Sequence, residues 1–316
     1  MKKGPVDISI ARSAENYVEI KKKNLIFAKP NKPQMRNEKG HITISPTPSE
    51  ELYHFTTNGN MQAYIYDNLL YTYYGYDNAN SRKYKISYQN TPTWINGQPM
   101  PTELHIRNMM FYPNSYINFN NDGYYTKHYY NGMERIASRL GDQGFGMEQP
   151  TDGDLLSRKN DLGKVFTEQF QEMLGNQDSI KLHDTLQLRD LQPNPAGGLY
   201  FYHPNHLGST CYVTDENASV VQGFLYAPFG EITNEYNSSF GSSVLPKYSF
   251  NAKELDEETG MYYYEARYYA PPVFISRDPL FEKYPTFSPY AYCANNPVKY
   301  VDPDGGRNIF IILYNR

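Results

Sequence analysis

Aromatic residues alternate with polar ones along much of residues 51–141, and this period of two constrains the fold more than any other feature of the sequence. Tyr84, Ile86 and Tyr88 are one example, each separated from the next by a polar residue. Successive side chains of a β-strand point to opposite faces, so this spacing places the aromatic side chains on one face. The chain contains 32 tyrosines, and tyrosine suits a pleated surface with one dry and one wet side. The sequence therefore predicts a mainly β, antiparallel structure.

Short turn motifs separate the alternating runs. They are Asn58-Gly59, Tyr76-Asp77-Asn78, Asn96-Gly97, Asp122-Gly123 and Asn131-Gly132, followed later by Asn205–Gly208, Asp215–Asn217 and Pro228–Gly230. Asn-Gly is typical of two-residue hairpin turns. We therefore predict that strands at Tyr124–Tyr130 and Arg135–Leu140 form a hairpin around Asn131-Gly132.

Residues 142–198 interrupt this pattern and read as a linker or insert. Their apolar residues at helical spacing are Phe166, Phe170, Met173 and Leu174. Gly175 follows at a position where helices commonly end. We predict one short amphipathic helix within residues 160–176, in an insert with fewer contacts than the flanking hairpins. The alternation returns at Leu199, and residues 199–275 are predicted to be mostly antiparallel strands with short loops.

Composition and charge exclude several classes of protein. The net charge of −4 over 316 residues implies no large basic surface, which argues against nucleic acid as the main partner. No run of 18 apolar residues occurs, so no membrane span is predicted. The first residues contain no apolar run of signal-peptide length. The two cysteines, Cys211 and Cys293, could form one disulfide, but free or buried thiols are the preferred interpretation.

Isolated candidate residues give no metal or cofactor site. His203 and His206 lie three residues apart, but Pro204 argues against a helical metal-binding face, and a loop-shaping role is preferred. Ser209 lacks the Gly-x-Ser-x-Gly context of a nucleophile. No phosphate-binding glycine loop is present, and we predict neither cofactor nor metal.

Several longer segments together resemble one family. They are the degenerate tyrosine-aspartate motifs Tyr64–Asp67 and Tyr74–Asp77, the strand pair Tyr125–Gly141, and the ordered segments His203–Glu231, Lys253–Pro271, Ser276–Leu280 and Tyr290–Gly305. These segments are similar to Rhs/YD-repeat proteins, loosely over residues 55–141 and continuously over 199–306. The second region resembles the Rhs repeat-associated core domain, most closely in the form found in the Bacteroides group.

The resemblance implies a polymorphic toxin or a surface protein. In such proteins, YD hairpins coil into a hollow β-shell that the core domain closes, and a variable toxin follows the Asp-Pro-x-Gly motif. It implies for this chain a curved sheet or partial β-shell with one short helix in an insert. The implied divisions are 1–50 as a polar lead-in or repeat remnant, 51–141 as degenerate YD hairpins, 142–198 as the insert, 199–306 as the core domain and 307–316 as a short tail. Ten residues are too few for a toxin domain, so a truncated or orphan copy is expected.

The resemblance also implies a site. In several members, the core cuts the chain just after the motif, using aspartates and an adjacent arginine; Arg277, Asp278 and Asp302 match these positions. Two close carboxyl groups can share a proton, so that one activates water while the other protonates the scissile amide. The predicted cut follows Gly306, which replaces the usual apolar residue. Asp-Pro and Asp-Gly are also ordinary turn formers, and this alternative stays open.

Three functions remain. A structural β-shell module is preferred, and the alternatives are a self-cleaving aspartyl protease and an aromatic-rich adhesin that binds carbohydrate. Expected partners are neighbouring YD-repeat segments or further copies of the chain, with a secretion apparatus or surface glycan implied by the resemblance. The resemblance implies a secreted or cell-surface location, which the sequence itself does not decide.

Overall fold

A computed structural model describes residues 8–12, 18–22, 51–56, 58–67, 69–90, 94–95, 98–99, 102–120, 124–132, 134–141, 180–183, 198–238, 247–283, 285–306 and 310–311. The predicted helix within residues 160–176 lies outside these ranges. Inside the predicted insert, residues 180–183 form a strand. No helix in the described ranges is long and apolar enough to cross a membrane.

The described residues are mostly strands. Up to residue 183 these are β1 (Ile8–Arg12), β2 (Val18–Lys22), β3 (Glu51–Phe55), β4 (Met61–Tyr66), β5 (Leu70–Tyr76), β6 (Arg82–Asn90), β7 (Trp94–Ile95), β8 (Gln98–Pro99), β9 (Thr102–Asn114), β10 (Ile117–Asn120), β11 (Tyr125–Asn131), β12 (Glu134–Gly141) and β13 (Ile180–His183). From residue 199 they are β14 (Leu199–Pro204), β15 (Thr210–Thr214), β16 (Val220–Tyr226), β17 (Ile232–Asn237), β18 (Glu254–Asp256), β19 (Met261–Tyr263), β20 (Tyr268–Ala270), β21 (Val273–Phe274), β22 (Tyr300–Val301) and β23 (Phe310–Ile311). Short 3-10 helices occur at Phe250–Ala252, Phe281–Lys283 and Cys293–Asn295.

One sheet of 15 described strands runs through the molecule in the order β1-β2-β3-β4-β5-β6-β9-β10-β11-β12-β14-β15-β16-β17, and β13 pairs in parallel with β9. All other pairs in it are antiparallel and mostly join consecutive strands, which confirms the predicted mainly β hairpin fold. Strand β12 pairs with β14. The sheet therefore continues across the predicted boundary between the hairpins and the region that begins at residue 199.

The predicted hairpin at Asn131-Gly132 is present, because β11 and β12 pair and Asn131 lies opposite Glu134. Gly132 has a φ of +60°, which a glycine adopts without steric cost.

A second, five-residue turn recurs between other strands, at 77–81, 205–209 and 215–219. In the first of these, Asp77 Oδ1 accepts the N–H groups of Ala79 and Ser81, both at 2.9 Å. Asn205 and Asp215 accept the equivalent pairs of N–H groups in their turns. The fourth residue has a positive φ in each, at Asn80, Gly208 and Ala218. The first residue of each turn, an aspartate or an asparagine, therefore caps the turn, which is the local role that its side chain favours.

The segment of residues 247–306, called here the C-terminal segment, packs across the main sheet. Neighbouring tyrosines on β5 point to opposite faces: Tyr73 lies in a cluster with residues of β4, β6 and β9, whereas Tyr74 packs with Met261 and Tyr268 of the C-terminal segment. Strands β18–β21 form a small sheet of their own inside this segment. Burial of such large side chains stabilises the fold by about 1.5–3 kcal/mol each, so the segment is part of the core.

Further along the main sheet, the C-terminal segment contributes Tyr248 to the cluster of Tyr200, Tyr202, Val213 and Phe224. A separate cluster is built mostly from the segment itself: Phe250, Tyr262, Tyr264, Tyr269, Phe274, Tyr292 and Cys293. Both cysteines are free thiols, as predicted.

Candidate functional site

The side chain of Arg267 is the centre of the candidate site. Arg267 ends the turn between β19 and β20, where Tyr264 donates its backbone N–H to the Arg267 carbonyl at 2.9 Å. Its guanidinium is almost completely buried, with the side chain 1% exposed, and its Cζ lies 3.6 Å from the centroid of the Phe274 ring. An arginine in this strongly aromatic stretch must therefore find its polar partners inside the protein.

Each nitrogen of the Arg267 guanidinium has a partner. Nη2 donates to Asp278 Oδ2 at 3.2 Å and to Asp302 Oδ2 at 3.4 Å. Nη1 donates to the Pro289 carbonyl at 3.1 Å, and Nε donates to the Gly305 carbonyl. One side chain thus connects both Asp-Pro turns to the backbone at the end of the Asp-Pro-x-Gly motif.

Each aspartate is also a turn cap. Asp278 Oδ1 accepts the Leu280 N–H at 2.6 Å. Asp302 Oδ1 accepts the N–H groups of Gly305 at 2.8 Å and Asp304 at 3.2 Å. Asp278 and Asp302 are therefore both turn residues and paired carboxyl groups. In each of them, Oδ1 accepts hydrogen bonds from the turn and Oδ2 faces Arg267.

Burial raises the pKa of Asp302 to about 6, although the Arg267 guanidinium and the N–H groups of Gly305 and Asp304 act in the opposite direction. Burial also lowers the pKa of Arg267, and the two carboxylates oppose this effect. Burial raises the pKa of the neighbouring Cys293 thiol to about 12, so this thiol is not a nucleophile at neutral pH. Asp302 therefore changes protonation in a mildly acidic range.

The expected arginine occupies a different place. Arg277 is exposed, and its Cζ lies 4.1 Å from the centroid of the Phe281 ring. Asp278 points inward, and an adjacent residue on extended chain points the other way. The structure thus brings Asp278 and Asp302 together as expected, but with Arg267 rather than Arg277.

The sequence contains one signal that points to Arg267. It is a cation within a run of tyrosines, Tyr262–Tyr269, and such a charge is retained in a buried strand only with partners. The resemblance directed attention to the arginine adjacent to Asp278 instead. Catalysis by Arg277, Asp278 and Asp302 stays a prediction.

The two glycines at the end of the motif, Gly305 and Gly306, differ in how much space they leave for a side chain. Gly305 has a φ of +69°, and a Cβ there would lie 2.5 Å from the Tyr264 carbonyl oxygen. A Cβ at Gly306 would meet only ordinary contacts, the nearest being Asp304 Oδ1 at 3.6 Å. Asp304 Oδ1 accepts the Gly306 N–H at 3.0 Å, so this third carboxylate caps the turn.

A second buried charged cluster joins the C-terminal segment to the main sheet. Arg82 Nη2 lies 2.5 Å from Glu254 Oε2. Lys85 Nζ lies 3.0 Å from Asp256 Oδ1 and 2.6 Å from Glu258 Oε2. This cluster was not predicted from the sequence, because Asp256–Gly260 was interpreted as an acidic turn that follows a short strand.

The remaining candidates from the sequence are His203 and the exposed tyrosines. His203 stacks on Tyr212 with ring centroids 4.3 Å apart, and its Nε2 lies 2.9 Å from Thr214 Oγ1. No group of three or more His, Cys, Asp or Glu side chains in the described ranges is arranged to hold a metal ion. Tyr212 and Tyr236 are exposed at 43% and 55%; carbohydrate binding by such residues stays a prediction.

No protein-family model matches the chain. Salivary gland surface protein 1 of Aedes aegypti is 32% identical over 187 residues, which is 55% of this chain and 5% of that protein. The tRNA nuclease WapA of Bacillus subtilis strain 168 is 38% identical over 115 residues, covering 34% of this chain and 5% of the relative. Double-stranded DNA deaminase toxin A of Burkholderia cenocepacia is 30% identical over 112 residues, covering 35% and 8%. The chain therefore spans only a small part of the length of the curated relatives it matches.

Among solved structures, the crystal structure of TcdB2-TccC3-TEV aligns with a TM-score of 0.47 and 17% identity, over 86% of this chain and 10% of that one. The crystal structure of TcdB2-TccC3 without its hypervariable C-terminal region aligns with a TM-score of 0.34. Over part of its length, the chain is thus similar in sequence to long proteins that include a surface protein, a nuclease and a deaminase toxin.

Proposed function

We propose that residues 199–306 are an Rhs repeat-associated core module and that the chain is a structural segment of a YD-repeat β-shell. The local similarity to WapA and to the deaminase toxin supports this proposal, as do the consecutive hairpins of the main sheet. The Bacteroides-type assignment is part of the same proposal and rests on the sequence motifs alone.

The observation that carries this function is the position of Arg267. Its guanidinium binds Asp278, Asp302 and the Gly305 carbonyl from inside the folded C-terminal segment. The end of the Asp-Pro-x-Gly motif is thereby fixed to the core, and whatever follows Gly306 leaves from a defined point. A module that closes a shell and presents the next segment of chain requires such an anchor.

Hydrogen exchange measured by mass spectrometry tests this anchoring role. In Arg267→Met, the amides of residues 275–306 should lose more protection than those of β4–β6, because β4–β6 are also held by contacts that do not involve Arg267. Arg277→Met is the matched control, because it removes an exposed guanidinium. If the amides of residues 275–306 exchange equally fast in the two variants, Arg267 does not anchor the motif.

Self-cleavage after Gly306 is the second candidate, and the raised pKa of Asp302 favours it. In this reaction Asp278, as the general base, would take a proton from water, and the resulting hydroxide would attack the Gly306 carbonyl carbon. The protonated carboxyl, Asp302, would give its proton to the departing Arg307 nitrogen. The C–N bond breaks, and the products are a new carboxyl terminus at Gly306 and the peptide 307–316.

Intact-mass spectrometry separates the two candidates. We expect wild type to keep its full length, because Gly306 offers no apolar side chain to position the bond, and we expect Gly306→Leu to lose residues 307–316. Asp278→Asn or Asp302→Asn, added to Gly306→Leu, should restore the full-length mass. If Gly306→Leu also stays intact, the aspartates serve only as turn residues and Arg267 partners.

A further inference from the structure

The buried cluster between the main sheet and the C-terminal segment has an unequal number of charges. Among the described residues, it combines the cations Arg82 and Lys85 with the carboxyl groups of Glu254, Asp256 and Glu258, and all five residues are buried. Two cations balance two carboxylates, so the third carboxyl group must either carry a proton or leave a negative charge uncompensated in the core. An uncompensated buried charge is costly.

The cluster holds together parts of the chain that are far apart in sequence. Arg82 and Lys85 lie on β6, whereas the three carboxyl groups lie on β18 and the turn that follows it. Arg82 Nη1 also donates to the Tyr268 hydroxyl at 2.7 Å. Glu258 Oε1 accepts the Ser87 hydroxyl at 3.1 Å. Loosening this cluster would loosen the attachment of the C-terminal segment to the hairpins.

The geometry identifies Asp256 as the carboxyl group that takes the proton. Glu254 has the closest guanidinium contact, at 2.5 Å, and Glu258 has the shorter of the two Lys85 contacts. Asp256 has the longer Lys85 contact, lies 4.0 Å from Arg82 Nη1, and accepts the Tyr74 hydroxyl at 2.9 Å. Asp256 is thus the least compensated of the three.

The remaining titratable groups around Asp256 do not supply the missing positive charge. The groups that face it from the packed elements are Arg82, Lys85, Glu254, Glu258, Tyr64, Tyr74, Tyr76, Tyr112 and Tyr268. Burial raises the pKa of each of these tyrosines well above its usual value, so they stay neutral. Lys247 pairs with the exposed Glu257 at 2.9 Å and also lowers the pKa of Glu254 and Glu258, but it is not among the cations that act on Asp256.

We propose that this cluster is a proton-dependent latch, which closes with one proton on the Asp256 carboxyl group and loosens its hold on the C-terminal segment when that proton leaves. This goes beyond the proposed structural role, because it makes the attachment of the segment respond to pH. When the latch closes, Asp256 takes up one proton from solvent, and when the latch opens, Asp256 releases that proton to solvent.

The sign of the effect follows from linkage. Burial raises the pKa of Asp256 to about 7, while Lys85 opposes the shift and Glu258 adds to it. The closed latch therefore keeps a proton that the open form loses, and closing is favoured as the pH falls through about 7. In Glu254 and Glu258, the nearby cations outweigh burial and lower the pKa, so these two carboxylates stay ionised across the same range.

Local hydrogen exchange tests the latch. Protection of the amides of β6, β18 and β19, corrected for the intrinsic pH dependence of exchange, should be on the order of tenfold greater at about pH 5.5 than at about pH 8.5 in wild type. Asp256→Asn should abolish this difference. Glu257→Gln is the matched control, because it removes a neighbouring exposed carboxylate, and it should keep the wild-type difference.

If Asp256→Asn does not fold, Glu258→Gln provides a second test of the latch. In this variant two carboxylates face two cations, so the proton is no longer needed and the pH difference should shrink several-fold. The latch is refuted if wild type is equally protected at both pH values. It is equally refuted if a folded Asp256→Asn or Glu258→Gln variant keeps the full wild-type difference.

Discussion

Replacing Arg267 with methionine should destabilise the protein strongly, because it leaves two carboxylates without their cation. Asp278 and Asp302 are 0% and 1% exposed in their side chains, and removing one partner of a buried pair costs about 3–5 kcal/mol. The same change removes hydrogen bonds to the Pro289 and Gly305 carbonyls. We therefore expect the free energy of unfolding, measured by urea denaturation at about pH 7.5, to fall by about 3–5 kcal/mol.

The pH dependence of this loss provides a further check. Asp302 already has a pKa raised to about 6, and without Arg267 its pKa should rise further. A raised carboxyl pKa stabilises the folded state at low pH, and this contribution is lost as the pH rises through the folded pKa. The cost of Arg267→Met should therefore be at least about 1 kcal/mol smaller at about pH 5 than at about pH 7.5.

Two results would refute this reasoning. One is a loss below about 1 kcal/mol, similar to that of the exposed control Arg277→Met, which should change stability by no more than about 0.5 kcal/mol. The other is strict additivity in the double variant Arg267→Met with Asp302→Asn. Because the asparagine carries no charge that needs Arg267, the double variant should lose less than the sum of the single variants.

Three further predictions follow from other positions. Ala218 has a φ of +61°, so Ala218→Gly should raise the free energy of unfolding by about 1 kcal/mol, and an unchanged or lower value would contradict the turn geometry. Gly305→Ala should destabilise the protein by more than about 2 kcal/mol and Gly306→Ala by less than about 1 kcal/mol, since only the first forces a clash and a strained φ; equal losses in thermal denaturation would contradict this. Burial lowers the pKa of His128 to about 3, so amides of β11 and β12 should become less protected from exchange as the pH falls below about 6.5, opposite in sign to the latch; a folded His128→Gln variant that keeps this trend would contradict it.

The sequence predicted the local structure well because its signals are local. The alternation around Tyr84, Ile86 and Tyr88 and the turn at Asn131-Gly132 depend on neighbouring residues, and both appear as strands and a hairpin in the structure. The same holds for the turn at Asp77, whose side chain caps a backbone only a few residues away.

The charged clusters were harder to predict because their partners are set by tertiary packing. Glu254 pairs with a residue 172 positions earlier in the chain, and nothing in the acidic run marks it as buried rather than solvated. Asp278 and Asp302 were linked through the family resemblance, but their shared cation was assigned to the neighbouring Arg277. In the structure Arg267 contacts both aspartates instead. Which arginine does so depends on which side chains face inward, and Arg277 faces solvent.

A double-mutant cycle between Arg82 and Glu254 tests most directly whether the C-terminal segment closes over the hairpin sheet. Each of Arg82→Met and Glu254→Gln should lower the free energy of unfolding, and the two effects should be coupled by about 1–3 kcal/mol, because the side chains meet at 2.5 Å across the sheet. A coupling energy within about 0.3 kcal/mol of zero would contradict the account, since it would mean that these two residues do not meet in the folded protein.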